Sequence, residues 1–280
     1  MIAPPMRDMT MTTRKYVHGY SEREHQRLHD QSQTLAELLH HDTIYPAGSH
    51  VLEAGCGVGA QTVILAKNNP AVHFTSIDVS PVSVSAAKAA VERAGFTNVT
   101  SQTADIFQLP FAKASFDHVF VCFVLEHLKQ PGEALQRLKA VLKPGGTLTV
   151  IEGDHGSTFF HPRSDAAWLT IQCLIDLQAA AGGDALIGRR LFPLLRDTGF
   201  NDVHMSPRFV YVDSSRPAWV EGFTRNTYIA MVEGAREPAL AAGLIDRAAW
   251  EKGIANLKVS AGHDGTFCYT FFKAVAVNGQ

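Results

Sequence analysis

Three glycines and three acids carry most of the chemistry that can be read from this sequence. Gly55, Gly57 and Gly59 stand in HVLEAGCGVGA, residues 50–60, after the short apolar run Val51-Leu52 and before a helical pattern from Gln61 to Lys67. Strand, glycine turn and helix is the form of a nucleotide-binding first βα unit. Glycine permits the tight turn and lets the backbone approach a ligand where a side chain would block it. Gly55, Gly57 and Ala60 also satisfy G-x-G-x-x-[G/A], so the glycines alone fit a dinucleotide enzyme equally well. Glu53 separates the two readings. A carboxylate at the strand end, just before the turn, suits a cationic ligand and would repel a pyrophosphate. Asp78 ends a second apolar run, Val72 to Ile77, about 20 residues past the glycines, where an acid can accept hydrogen bonds from both hydroxyls of a ribose. Asp105 and Ile106 follow a third run, Val99 to Thr103, and could bind an adenine amino group and sandwich its ring. Each such Asp is also an ordinary turn former or N-cap. Acids at three successive strand ends are harder to explain as turns.

The elements that must position these residues alternate. Pro81 opens a helix at or near its first position, Ser83 to Ala94 continues it and Gly95 ends it. Phe116 to Phe123, apolar on both faces, suits a central parallel strand. An amphipathic helix follows from Pro131 to Leu142, is broken at Lys143-Pro144-Gly145-Gly146, and leads into a fifth strand, Thr147 to Ile151. Strand and helix alternating at this pace imply βαβ crossovers and an open parallel sheet, in which a ligand sits outside the carboxyl ends of the strands. Beyond Glu152-Gly153-Asp154-His155-Gly156-Ser157 the alternation loosens. Helices are expected over Asp165–Ala181 and Arg189–Thr198, a strand over Val203–Val212, a mostly helical insertion over Ser214–Ala261, and an aromatic last strand over Thr266–Val277. At the other end, Tyr16 to His41 reads as helix, with Ser21 and Glu24 as a capping box and Leu28, Leu35, Leu38 and Leu39 as its apolar stripe. Its polar weight is either a solvated face or a lid whose aromatic and basic residues, Tyr20 and Arg27 among them, close over a ligand. The expected organisation is a disordered start over 1–13, a lid helix and linker over 14–49, a core over 50–212, a helical cap over 213–265 and the last core strand over 266–280.

Composition closes several other routes. The chain has 280 residues, 46% hydrophobic and 19% charged, with a formal net charge of −2, so no basic field points to nucleic acid or an anionic membrane. Its 4 cysteines, Cys56, Cys122, Cys173 and Cys268, form no C-x-x-C pair, which argues against a structural zinc and a disulfide framework and fits a reducing cytosol. No apolar run approaches the roughly 18 residues of a membrane span, and the N-terminus lacks the apolar segment of a signal peptide. The expectation is a cytoplasmic monomer or homodimer with no metal, no nucleic acid and no membrane contact.

The combined pattern resembles the class I S-adenosylmethionine-dependent methyltransferases, in the methyltransferase-type-11 and ubiquinone/menaquinone-methylase-like group. The matching runs are VLEAGCGVG (51–59), SIDVS (76–80), ADIFQLPF (104–111), FDHVFVCFVLEHL (116–128), LKPGGTLTV (142–150) and LFPLLRDTGF (191–200). The resemblance implies a Rossmann-like, doubly wound α/β sheet of seven mostly parallel strands, order 3-2-1-4-5-7-6, with the last strand antiparallel. It further implies that the turn at Gly55, Cys56 and Gly57 faces the methionine portion of the cofactor. By the same likeness Asp78 and Val79 face the ribose, Asp105 and Ile106 the adenine, and the backbone of Cys122 and Phe123 the methionine amino group. Glu53 would orient the cofactor indirectly, through backbone or water. The stretch of about 50 residues between the last two strands and the Tyr16–His41 segment are both additions to that pattern, and both are expected to cover a substrate pocket.

A sulfonium methyl is already activated, so alignment with a small-molecule acceptor is the enzyme's main task, and a lid that excludes water would serve it. Where the acceptor is a hydroxyl or a protonated amine, a base helps. His155 is the candidate, with Asp154 or Glu152 near enough to orient it; the plainer reading is a loop histidine capping Gly156. No N-P-P-[YF] tetrad and no Pro-Cys nucleophile stand at the end of the fourth strand, which reads VCFV. Phe159, Phe160, Trp168, Trp219, Phe223, Tyr228 and Trp250 suit a partly apolar acceptor, or simply the core of the accessory parts. A nicotinamide oxidoreductase and a catalytically silent protein that retains the fold are the alternatives.

Overall fold

A computed structural model describes residues 34–279. Seven strands form one sheet, ordered β3-β2-β1-β4-β5-β7-β6. They are β1 His50–Ala54, β2 His73–Asp78, β3 Val99–Thr103, β4 Phe116–Cys122, β5 Leu142–His161, β6 Phe200–Asp213 and β7 Thr266–Asn278. The strands from β3 across to β5 pair in parallel, and β7 runs antiparallel to both β5 and β6. This is the doubly wound α/β architecture, strand order and reversed last strand that the sequence motifs imply.

Alternation along the strands builds two cores. Neighbouring residues point to opposite faces, so Val51 and Leu52 of β1 enter different clusters. On one face, Leu52, Val119, Val121, Leu148 and Val150 pack on helices α4, Pro131–Val141, and α6, Leu191–Asp197. On the other, Val51, Phe74, Phe120 and Ile151 share a cluster with Leu35 and Leu39 of helix α1 (34–40) and Leu65 of α2, Ala60–Asn68. α5, Asp165–Ala180, and the insertion extend that second cluster. Helix α3, Pro81–Arg93, starts as its sequence predicts, with Pro81 in the first turn and the Ser80 side chain accepting the Ser83 amide.

The structure differs from the sequence reading mainly along β5. The fifth strand was expected to end at Ile151; it runs on to His161. Glu152 pairs with Phe272 and Asp154 with Thr270, and after a register shift Phe159 pairs with Cys268. Polar side chains over 152–157 suggest a loop, but β7 takes up this backbone while the side chains of Glu152, Asp154 and His155 are buried and bonded inside the protein. The predicted break at Lys143–Gly146 is present as an irregularity, with Phe116 paired to Leu142 and His118 to Thr147.

The insertion is helical, as expected, and its stretch Val220–Ile229 is π-helical. Phe223, Tyr228 and Trp250 lie buried in the second core. That is the packing role rather than the ligand-lining one. Phe159 is 54% exposed and stacks on Phe209 outside that core. Insertion and α1 meet directly: a Cβ on Gly222 would stand 2.2 Å from Thr34 Oγ1.

The segment after α1 is more than a linker. Lys273 of β7 is buried, and its Nζ donates to Asp42 Oδ1 at 2.6 Å, Thr43 Oγ1 at 2.7 Å and the Leu39 carbonyl at 3.3 Å. Arg208 of β6 also donates to Asp42. One cation thus caps the carboxyl end of α1 and pins it to the sheet. Burial alone would raise the Asp42 pKa; the bonds from Lys273 and Arg208 outweigh it and hold it down to about 2. A carboxyl depressed from 3.8 contributes stability above that value and loses it as pH falls through about 2. Asp42→Ala, which leaves the Lys273 ammonium without its half-exposed, solvent-screened counter-charge, should cost on the order of 1 kcal/mol in urea unfolding at neutral pH. The difference from the parent should shrink as the pH is taken toward about 2; a loss independent of pH would remove the ion pair as its cause.

Candidate functional site

The glycine turn leaves β1 with Gly55, Gly57 and Gly59 at φ +83°, +51° and +84°. Two of the three are fixed by packing. A Cβ on Gly55 would lie 2.4 Å from Val124 Cγ2, and one on Gly59 would lie 2.8 Å from Ala87 Cα, whereas a Cβ on Gly57 meets nothing within 4 Å. Gly57 is therefore the residue whose backbone a ligand can approach. The Gly55 and Cys56 amides both donate to the Ile77 carbonyl, at 2.8 and 2.9 Å, which ties the turn to β2.

Asp78 closes the same connection. Its Oδ2 accepts the Gly57 amide at 3.0 Å and its Oδ1 the Ser80 amide at 2.9 Å. The Val79 amide also bonds this group; a carboxylate offers about four acceptor positions, so acceptor capacity remains for a ligand hydroxyl. Burial raises the Asp78 pKa, and the amide bonds oppose that rise. Val79, beside it, is 50% exposed. Ala104 donates to the Asp78 carbonyl at 3.0 Å, which brings the end of β3 alongside. There Asp105 caps a 3-10 turn, Ile106–Gln108, by accepting the Phe107 amide at 3.0 Å, and Ile106 is buried.

Glu53 lies behind the turn. It is buried, and its Oε2 accepts Thr62 Oγ1 at 2.7 Å and Ser76 Oγ at 2.6 Å. Burial pushes its pKa up to about 7, and the charge of Asp78 adds to the rise against those two bonds. A buried, hydroxyl-bonded carboxyl near half ionisation suits an indirect electrostatic role. Cys56 and Cys122 are also buried, and burial first, then nearby carboxylates, holds both thiols above their usual range. Neither is set up as a nucleophile.

The end of β4 carries a feature that residue types do not announce. Phe123 has φ +57°, an uncommon conformation for a bulky side chain. Its amide donates to the Ile151 carbonyl at 2.9 Å, and the next two amides, of Val124 and Leu125, donate to Glu152 Oε1 at 3.0 and 2.7 Å. Burial, and then the neighbouring Glu126, keep Glu152 well above the usual carboxyl range. Glu152 is therefore a brace for the β4 turn. It does not orient His155.

Nor does Asp154. That carboxylate takes Arg189 in a two-pronged ion pair, both bonds 2.8 Å, and accepts the Gly156 amide at 3.0 Å. The ring of His155 instead meets Tyr269 Oη, 2.8 Å from Nδ1, inside a buried aromatic group. Its amide donates to the Ala185 carbonyl at 2.9 Å. The loop-cap reading of His155 is corrected as well, because the residue lies in strand β5. A run of ring contacts joins this position to the β4 turn: Phe123 to Phe271 at 5.4 Å, Phe271 to Tyr269 at 4.7 Å, and Tyr269 to His155 at 5.8 Å. Tyr20 and Arg27, the lid candidates, lie outside the described residues. What the structure does place is the end of α1, where His40 Nε2 stands 2.7 Å from Gln61 Oε1 in the first turn of α2.

Glu53 supplies a pH test. With its folded pKa raised from 4.5 to about 7, the folded protein holds a proton across that window that the unfolded chain has released, so stability falls as pH rises through it. Glu53→Gln should flatten that limb by on the order of 3 kcal/mol in urea unfolding at stepped pH. An unchanged limb would show that Glu53 ionises normally.

Residues 52–150 match the family described as methyltransferase domain. O-methyltransferase resE of Aspergillus sclerotiorum is 32% identical over 157 residues, 55% of this chain and 55% of that protein. A demethylmenaquinone methyltransferase of Tropheryma whipplei is 37% identical over 116 residues, 41% of this chain and 46% of that one. The chain spans about half the length of the curated relatives it matches. Two solved structures show the same fold. The (4+2)-cyclase SpnF has a TM-score of 0.55 at 23% identity, over 88% of this chain and 80% of that one. Phosphoethanolamine N-methyltransferase 2 of Haemonchus contortus, in complex with S-adenosyl-L-methionine, has a TM-score of 0.56 at 19% identity, over 89% of this chain and 52% of that one. With the strand order, the glycine turn and the strand-end acids in place, residues 52–150 belong to the class I S-adenosylmethionine-dependent methyltransferases, in the ubiquinone/menaquinone-methylase-like group.

Proposed function

We propose that the chain as a whole is an S-adenosylmethionine-dependent methyltransferase that acts on a small-molecule acceptor by in-line transfer. The observation that carries this reading is the pairing of the open Gly57 backbone with the Asp78 carboxylate, which keeps acceptor capacity for a ligand hydroxyl. A ligand that presents an ammonium, two ribose hydroxyls and an adenine amino group is rich in donors. The acids Asp78 and Asp105 are acceptors, with Glu53 behind them acting indirectly, so the chemistry of the two sets fits. In this reading Gly55, Cys56 and Gly57 border the methionine end, Asp78 and Val79 the ribose, Asp105 and Ile106 the adenine, and the backbone at Cys122 and Phe123 the amino group. When bound, S-adenosylmethionine supplies a methyl already activated by its sulfonium.

The chain's own residues then bind, align and exclude water. Asp78 fixes the ribose against the glycine turn. The braced backbone at Phe123–Leu125 gives a rigid wall, and rigidity at the reacting centre is what alignment needs. Insertion and α1 pack over the same face of the sheet and share one core, which supports a covering role. A small acceptor agrees with the net charge of −2 and with relatives named for a demethylmenaquinone substrate. Fold alone does not fix the chemistry, since one neighbour of this fold is a cyclase. A nicotinamide reading is disfavoured by Glu53, a carboxyl directly behind the turn where a pyrophosphate would sit.

S-adenosylhomocysteine should therefore raise the melting temperature of the purified protein, and NADH should not. Asp78→Ala should weaken S-adenosylhomocysteine binding about 10- to 100-fold in calorimetric titration, the loss of paired hydrogen bonds. Unchanged affinity in that variant would remove the ribose assignment. Absence of label transfer from methyl-labelled cofactor to every member of a broad metabolite panel would turn the reading toward a protein that keeps the fold without the reaction.

A further inference from the structure

Glu53 is buried at the end of β1 with hydroxyls as its partners. Thr62 Oγ1, from the first turn of α2, and Ser76 Oγ, from β2, both donate to its Oε2, at 2.7 and 2.6 Å. A hydroxyl can donate or accept. The same two contacts therefore survive with the carboxyl ionised, both hydroxyls donating, and with it protonated, Oε2 donating to one of them. Other acids in this protein are bonded differently. Asp78 meets backbone amides, which only donate, and Asp42 and Asp154 meet Lys273, Arg208 and Arg189. Those partners hold a carboxyl ionised, whereas the partners of Glu53 leave its proton free to come and go.

The charges around Glu53 supply no counter-ion among the described residues. The titratable groups that it interacts with are Asp78 on β2, Cys56 in the glycine turn, Cys122 on β4 and Tyr45 ahead of β1, while α2 presents the uncharged Thr62. Burial keeps both thiols and the Tyr45 phenol protonated at neutral pH, so within this group Glu53 faces only the like charge of Asp78. A carboxylate buried without a cation takes up a proton. Burial, with Asp78 adding to it, accordingly lifts the Glu53 pKa to about 7. The place is the root of the proposed cofactor site. Ala54 and then Gly55 follow Glu53 in the chain, and its partner Ser76 precedes Ile77 and Asp78.

S-adenosylmethionine and S-adenosylhomocysteine carry the same adenosine and amino-acid groups and differ in the methyl and the positive charge on sulfur. We propose that Glu53 senses that charge: it keeps its proton in the empty site and with the neutral thioether, and releases it to solvent when the cationic sulfonium is bound. The cofactor is then held more tightly than its product, by a margin that grows as pH rises. This rests on the function proposed above. The proton balance closes over a turnover, because the proton given to solvent on cofactor binding is taken back from solvent once transfer has left a thioether. Carboxyl and sulfur need not touch, since Coulomb attraction acts over the range at which Glu53 already feels Asp78. The sign follows from linkage. A ligand that lowers the carboxyl pKa by about one unit gains about tenfold in affinity from the acid to the alkaline side of the titration.

Infrared difference spectra at about pH 7 read the proton directly. The parent should lose a protonated-carboxyl band when S-adenosylmethionine is added and keep it when S-adenosylhomocysteine is added. Glu53→Gln should lose no such band with either ligand. Calorimetric titration from about pH 5.5 to about pH 7.5 should show the preference for cofactor over product rising about fivefold in the parent and staying flat in Glu53→Gln. A band unchanged by S-adenosylmethionine, or a preference independent of pH in the parent, overturns the proposal even if the variant does not fold. If both ligands bind alongside either of those results, the sensor is removed and the cofactor site stands. If neither ligand binds, the cofactor assignment falls and the sensor with it.

Discussion

Carboxyl groups that accept backbone N–H groups hold the carboxyl ends of these strands together. Turns that leave parallel strands expose amides that neither ladder nor helix can use, and an amide buried without a partner is costly. Asp78 satisfies Gly57 and Ser80. Glu152 satisfies Val124 and Leu125 directly after the strained Phe123. The two turns also touch, since the Val124 side chain lies where a Cβ on Gly55 would be. The glycine turn, the β4 turn and the end of β5 are therefore tied into one unit by hydrogen bonds from backbone amides to side-chain carboxyl groups.

α1, α5 and the insertion make a second layer on the face of the sheet opposite α4 and α6. α1, α5, the insertion and β7 bury Leu35, Leu39, Phe223, Tyr228, Trp250, Phe267 and Tyr269 in one cluster. Lys273, Asp42 and Arg208 lock the entry of that layer to β6 and β7. Its tyrosines reach β5 and set the surroundings of His155. In the proposed reading the family-like core holds the cofactor, and the additions surround the acceptor. This division also explains why the motifs speak clearly about the cofactor and hardly at all about the acceptor.

Much of this was legible in the sequence. Strand order, the glycine turn, Pro81 as a helix start and the reversed last strand all follow from local patterns and from a resemblance carried by several separate runs. What was not legible depends on contacts between residues far apart in the chain. Glu152 and Asp154 look like candidate orienters of His155 because they are its neighbours in sequence, yet their partners are the amides of residues 124 and 125 and the guanidinium of Arg189. Tyr269, 114 residues away, takes the ring. The polar run after Ile151 reads as a loop because polar residues usually mark one; here an antiparallel partner absorbs the backbone and β5 runs on. The positive φ of Phe123 leaves no trace in residue type. Asp42 reads as part of a linker until Lys273, 231 residues on, is found beside it.

The most direct test of the whole account is a crystal structure of the protein with S-adenosylhomocysteine. It should show both ribose hydroxyls on the Asp78 carboxylate, the Gly57–Asp78 bond retained, and the adenine beside Asp105 and Ile106. Product lodged elsewhere, or an Asp78 carboxylate turned away from both Gly57 and the ribose, would contradict the claim that strand-end acids and the glycine turn together make the cofactor site.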